Sequence, residues 1–162
     1  MNVEIREARP EEYEETGAVT ARAYQEFFSE TEPHSYLDEI ADVAGRAPRT
    51  TILVAVDGDR IIGSATLELD GRTSGEAGAL APDEAHIRML GVHPDARGVG
   101  VGKLLMAECE ARARKAGRTR MTLHTTTLMR AAREMYVSLG YERSEDHVFP
   151  DGFVLLGFTK QL

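Results

Sequence analysis

The sequence predicts an α/β fold in which a mixed β-sheet of about seven strands is flanked by about four helices. Three observations lead there. Runs of β-branched residues alternate with segments of helical apolar spacing over most of the chain, and two further strand-like runs cluster at its end. The 162 residues carry no internal repeat, low-complexity tract or linker-like shift in composition, so residues 1–162 are expected to form one domain.

The elements follow in order. Val3 to Arg6 reads as a short first strand. Pro10, followed by Glu11, Glu12, Glu14 and Glu15, opens a helix expected to reach about Phe28, with proline at its start and acids near its positive end. A second helix is expected over Ser35 to Ala47. "TILVAVDGDRIIGSATLEL" reads as two strands joined around Asp57-Gly58, a two-residue hairpin signal. The glycine-rich segment from Asp70 to Asp83 reads as a mobile loop, and a strand is expected from about Ala85 to Val92. From Gly100 to Ala116, Val101, Leu105, Cys109, Ala113 and Ala116 recur at helical spacing and Gly117 supplies a stop. "RMTLHTTT" is a further strand, and Leu128 to Leu139 a helix closed by Gly140. Strands over Tyr141 to Val148 and Gly152 to Lys160 turn at Pro150-Asp151-Gly152.

Bulk properties narrow the function. A net charge of −8 argues against a nucleic-acid partner, which calls for a basic face. No apolar run is long enough to span a bilayer and the N-terminus lacks a signal-peptide core, so a cytoplasmic protein without a membrane partner is expected. The single Cys109 can form no internal disulfide, and no cysteine–histidine set has metal-ligand spacing, so no metal is expected.

The stretch "HPDARGVGVGKLL" places glycine at 98, 100 and 102 immediately before a helix. A Walker loop would need glycine where Arg97 stands and Ser or Thr where Leu104 stands. A dinucleotide fingerprint would need glycine at Lys103. A strand, a glycine turn and a helix start whose N–H groups converge on one anion require neither. Glycine at these positions lets the main chain approach phosphate oxygens closely, and Arg97 and Lys103 add positive charge.

At these residues the sequence resembles the GNAT superfamily of acetyl-coenzyme A-dependent N-acetyltransferases. The family signature Gln/Arg-x-x-Gly-x-Gly/Ala matches Arg97-Gly98-Val99-Gly100-Val101-Gly102, preceded by "IRMLGVHPDA". A second match is "AAREMYVSLGYER", similar to the family's late helix with a tyrosine before Leu-Gly-aromatic. The resemblance implies a twisted sheet whose strands at 85–92 and 120–126 run parallel and splay apart. It places the pantetheine arm of acetyl-CoA along the backbone of Leu90, Gly91 and Val92, and the pyrophosphate on the amides of Gly98 to Lys103. Tyr136 matches the proton donor to the departing thiolate. Met129 stands where many members have an asparagine, so that amide contact does not carry over.

Acyl transfer to an amine is also helped by a base or a water chain, because deprotonating an ammonium of pKa about 10.4 at pH 7 corresponds to roughly 4–5 kcal/mol. Two histidines qualify. His86 in "AHIRML" fills the position of a glutamate that some relatives use, and His124 in "LHTTT" falls where others place an acid on the next parallel strand. Period-two alternation would put residues 84, 86, 88, 90 and 92 on one side of the strand, so that Glu84 and Arg88 share His86's face.

The expected activity is transfer of an acetyl group to a primary amine of a small molecule or peptide by direct attack in a ternary complex. An acyl-CoA-binding sensor with little activity is the alternative, kept by Met129 and the missing glutamate. The acceptor pocket is expected from the first two helices and the late hairpin, carrying Glu26, Glu30, Glu32, His34, Asp146 and Phe149. Those acids suit a cationic amine and equally suit a solvated surface. A homodimer is left open.

Overall fold

The computed structural model of the protein describes residues 2–28, 36–70 and 80–162. Among them lie seven strands: β1 (Val3–Glu7), β2 (Thr51–Asp57), β3 (Arg60–Glu68), β4 (Glu84–Val92), β5 (Arg120–Thr125), β6 (Glu142–Val148) and β7 (Val154–Gln161). The helices are α1 (Tyr13–Tyr24), α2 (Tyr36–Ala41), α3 (Val43–Arg46), α4 (Val101–Lys115) and α5 (Arg130–Ser138). The strands form one mixed sheet in the order β1-β2-β3-β4-β5-β7-β6. The chain divides into two compact units, Met1–Leu67 with Met89–Cys109 and Glu68–Arg88 with Glu110–Leu162.

In the first unit, β1, β2 and β3 pair antiparallel in sequence. The β2–β3 turn is Gly58-Asp59, one residue later than the expected pair, with Asp57 opposite Arg60. Gly58 takes the positive φ of 66° that such a turn requires. Leu53, Val54, Ala55, Ile61, Ile62 and Leu67 form the apolar interior of this unit. The first helix begins with a 3-10 turn over Pro10–Glu12 and stops at Tyr24, short of Phe28. At that end Arg97 donates to the carbonyl of Ala23 at 2.8 Å, satisfying one of the terminal acceptors that a longer helix would have paired internally.

The second expected helix is two. Asp42 breaks it, leaving helical geometry at φ −82°, ψ 67° and capping α3 through Gly45 N–H. The cause is buried Arg46, whose guanidinium donates to the carbonyls of Glu39, Ile40 and Asp42 and to Thr66 Oγ1. One cation thereby gathers carbonyls that a continuous helix would have used. Ser35, the expected start, and the loop residues 71–79 lie outside the described residues.

In the second unit, β5 pairs parallel with β4, Glu84 to Ile87 against Arg120 to Leu123, and antiparallel with β7. β7 in turn pairs antiparallel with β6, whose register shifts between Ser144 and His147. Gly157 is obligatory at this irregularity, since a Cβ there would stand 2.2 Å from the Glu145 carbonyl oxygen. Gly140, at φ 93°, ends α5, with Tyr141 N–H returning to the Tyr136 carbonyl and Gly140 N–H to Val137. Buried Glu110 accepts from the Tyr141 hydroxyl and from Lys160 Nζ, each at 2.9 Å, so its charge is paired.

Candidate active site

Sequence reasoning singled out a glycine turn, a strand backbone, two histidines and a tyrosine. The turn lies in the first unit. Gly98 and Gly100 hold φ of 83° and 90°, conformations that disfavour any side chain, and a Cβ at either would meet no protein atom within 4 Å. The glycines are therefore demanded by backbone shape and leave open space outside it. α4 begins at Val101, so its first N–H groups point out of this end without intrahelical partners. Val99, 62% exposed, and Leu104, 46% exposed, add apolar surface that the fold leaves uncovered.

Arg97 is tied into the first unit through its side chain. Its guanidinium donates to the carbonyls of Ala23 and Val92 and forms an ion pair with Glu26. These contacts tie the turn to the end of α1. Lys103 is exposed at the helix start. Along the second half of β4, the Leu90 carbonyl accepts from the Tyr24 hydroxyl at 2.9 Å and the Val92 carbonyl from Arg97 Nε at 3.2 Å. Each oxygen retains a second lone pair. Gly91 is fixed by packing, because a Cβ would stand 3.0 Å from that of Ala23.

Sequence reasoning missed Met89, which adopts φ 53° inside β4. A non-glycine residue held there costs on the order of 1–2 kcal/mol, a departure from extended geometry that no local signal announces. The period-two burial nevertheless runs along the whole strand: Ala85, Ile87, Met89 and Gly91 are buried, whereas Glu84, Arg88, Leu90 and Val92 are partly exposed, with His86 the buried exception on their side.

In the second unit, the register of β4 against β5 builds a ladder of side-chain pairs on one face. Glu84 lies opposite Arg120 and bonds it at 3.1 Å, and His86 lies opposite Thr122 with Nδ1 2.8 Å from Oγ1. His124, two residues beyond Thr122, brings its ring centroid to 5.4 Å from that of His86. The two candidate bases are thus neighbours, His86 only 2% exposed and His124 half-buried. Next on β4, Arg88 pairs with buried Glu68 at 3.5 Å.

Tyr136 is 5% exposed on α5, its ring 6.0 Å from those of Tyr141 and Phe158. Asp146 is held below the usual carboxylate range, first by the Arg143 guanidinium and then by Gly157 N–H, with His124 a smaller influence. Phe149 stacks edge-on against His147 at 4.5 Å at the tip of the β6–β7 hairpin. Of the acids expected to line an acceptor pocket, Glu26 and Asp146 are both in ion pairs. Glu30 and Glu32, with His34, lie outside the described residues.

The model of the acetyltransferase (GNAT) family matches residues 18–141, which include the glycine turn, both histidines and Tyr136. The chain belongs to the GNAT acetyltransferase family. Solved structures share the fold of this acetyltransferase. YncA from Salmonella typhimurium, solved with its cofactor acetyl-CoA, is 19% identical, with a TM-score of 0.74 over 100% of this chain and 95% of that one. The PaiA N-acetyltransferase from Thermoplasma acidophilum, in complex with coenzyme A, is 16% identical, with a TM-score of 0.73 over 100% of both chains. A ribosomal-protein-alanine N-acetyltransferase from Brucella melitensis is 20% identical, with a TM-score of 0.73 over 98% of this chain and 99% of that one. At these identities the likeness is one of fold. No curated protein matches the GNAT chain in sequence.

Among the described residues no cluster of His, Cys, Asp or Glu is arranged to hold a metal ion. No helix among them is long and apolar enough to cross a membrane.

Proposed function

We propose that this GNAT protein, acting as one domain over residues 1–162 in the cytoplasm, transfers an acetyl group from acetyl-CoA to a primary amine of a small molecule or peptide. The observation that carries this reading is the pair Gly98 and Gly100, both at positive φ with open space beyond them, at the mouth of a fifteen-residue helix. That cradle fits a pyrophosphate, which the amides of Gly98, Val99, Gly100, Val101, Gly102 and Lys103 would hold. Leu90, Gly91 and Val92 offer main-chain groups to the pantetheine arm.

Acetyl-CoA supplies a thioester carbonyl, whose C–S bond breaks as the acceptor nitrogen forms the new C–N bond. The chain's own residues handle the protons. His86 is the base: one ring nitrogen takes the proton that the ammonium must lose before attack. Tyr136 is the acid: a phenol, with pKa about 10 in water, keeps its proton at neutral pH and donates it from the hydroxyl oxygen as the thiolate leaves. His124, 5.4 Å from His86 ring to ring, is the second candidate base. The pairing of Glu26 with Arg97 and of Asp146 with Arg143 removes two acids as bare attractors, so the acceptor need not be strongly cationic.

The test is a thiol-release assay over a panel of amines, coupled to thermal shift with acetyl-CoA. Binding with release on some amines supports the enzyme, binding without release on any amine supports the sensor, and no shift at millimolar ligand removes both. With an active amine in hand, the ascending limb that an imidazole base imposes on kcat/KM against pH should vanish in His86→Ala and persist in His124→Ala. Persistence in both variants would show that neither histidine takes the proton.

A further inference from the structure

We infer that Thr122 is a positioning residue, which holds His86 as the Nδ1–H tautomer and so turns the basic lone pair onto Nε2. The inference rests on the reading of His86 as the base. Two contacts of a single hydroxyl carry it: Thr122 Oγ1 stands 3.2 Å from the Ala85 carbonyl oxygen and 2.8 Å from His86 Nδ1. A hydroxyl has one hydrogen, whereas a carbonyl oxygen can only accept. Both contacts are hydrogen bonds at once in one arrangement alone, with Thr122 donating to the Ala85 carbonyl and a protonated Nδ1 of His86 donating to Oγ1; a hydroxyl that donated to Nδ1 would forfeit the Ala85 bond. In a neutral imidazole the lone pair is then on Nε2.

The geometry that enforces this is set by the sheet. His86 and Thr122 are direct partners in the parallel β4–β5 ladder, so their side chains rise from the same face at the same level. Thr122 is β-branched, and its χ1 is restricted on a strand. His86 is 2% exposed, which keeps water from replacing the hydroxyl. The groups along this face are the Glu84–Arg120 pair on one side, the Arg88–Glu68 pair on the other, and the His124 ring.

Loss of the hydroxyl releases the tautomer. In the Nε2–H form the basic nitrogen is Nδ1, which is turned toward Thr122, and proton transfer at Nε2 is lost. Thr122→Val, close to isosteric, removes the hydrogen bond, and Thr122→Ser retains it. Two readouts separate structure from chemistry. Two-bond 1H–15N correlation spectra of histidine-labelled full-length protein assign the tautomer of His86 without any turnover, with His86→Ala identifying its signals. Kinetics with acetyl-CoA and an active amine then give kcat/KM as a function of pH. The expected result is an Nδ1–H His86 in the unaltered protein and in Thr122→Ser, loss of that tautomer in Thr122→Val, and a roughly tenfold or larger fall in kcat/KM that serine restores. An Nε2–H tautomer in the unaltered protein overturns the inference even if Thr122→Val fails to fold, as does an unchanged tautomer in a folded Thr122→Val. A changed tautomer with undiminished kcat/KM instead overturns the reading of His86 as the base, and the positioning role falls with it.

Discussion

Gly100→Ala is the sharpest perturbation of the proposed cofactor cradle, because its two effects have different sizes and can be measured apart. Gly100 sits at φ 90°, and an alanine Cβ there meets no protein atom within 4 Å, so the cost to the free protein is backbone strain alone. That strain is about 1–2 kcal/mol, equivalent to a fall in melting temperature of roughly 2–8 °C for a chain of this size. The effect on ligand is larger if phosphate oxygens lie against this main chain. Acetyl-CoA at 100 times its Kd stabilises by about 2.7 kcal/mol, or roughly 5–11 °C, and the variant should lose most of that shift. Gly58→Ala supplies the control. Gly58 is also at positive φ, 66°, with nothing within 4 Å, but belongs to the β2–β3 turn, so it should show the strain and keep the full ligand shift. Differential scanning fluorimetry with and without acetyl-CoA measures both. A Gly100→Ala protein that retains the shift of the unaltered chain would refute the phosphate reading and leave the glycines as a connector.

Two further outcomes are expected. Tyr136→Phe should lower kcat more than it weakens coenzyme binding, since the hydroxyl acts on charge that develops as the thiolate leaves; steady-state kinetics beside thermal shift check this, and unchanged turnover would remove Tyr136 from the chemistry. Glu12→Gln probes pH-dependent stability away from the site: the forked hydrogen bonds from Arg6, then the Arg9 N–H, hold the Glu12 carboxyl at about 2, below its ordinary 4.5. Because the folded value is depressed, the pair's contribution is complete above about pH 4.5 and is lost as pH falls toward 2. Denaturation should therefore show Glu12→Gln less stable at pH 7 by on the order of 1–2 kcal/mol after solvent screening, with the gap closing near pH 2; a gap independent of pH would mean that lost packing is responsible.

Local chemistry alone determined most of the elements and the candidate cradle. Strands rich in β-branched residues, the stops at Gly117 and Gly140, and the alternating glycines before α4 are each encoded within a few neighbouring residues, which is why they were legible without the fold. The family motifs likewise lie in contiguous stretches. What the tertiary structure decided depends on partners far apart in the chain. Arg46 reaches Thr66 and splits the second helix at Asp42, although the local spacing favours continuity. Arg97 meets Glu26 and the Ala23 carbonyl, more than seventy residues earlier, and so ties the turn to the end of α1. Met89 takes a positive φ that its type disfavours, a cost that surrounding structure must offset. The pairing of His86 with Thr122 and its approach to His124 exist only because β4 and β5 align in one parallel register. A sequence specifies which side chains a strand presents, whereas the opposing strand's register decides which of them meet, because sliding a strand by one residue turns every side chain to the other face.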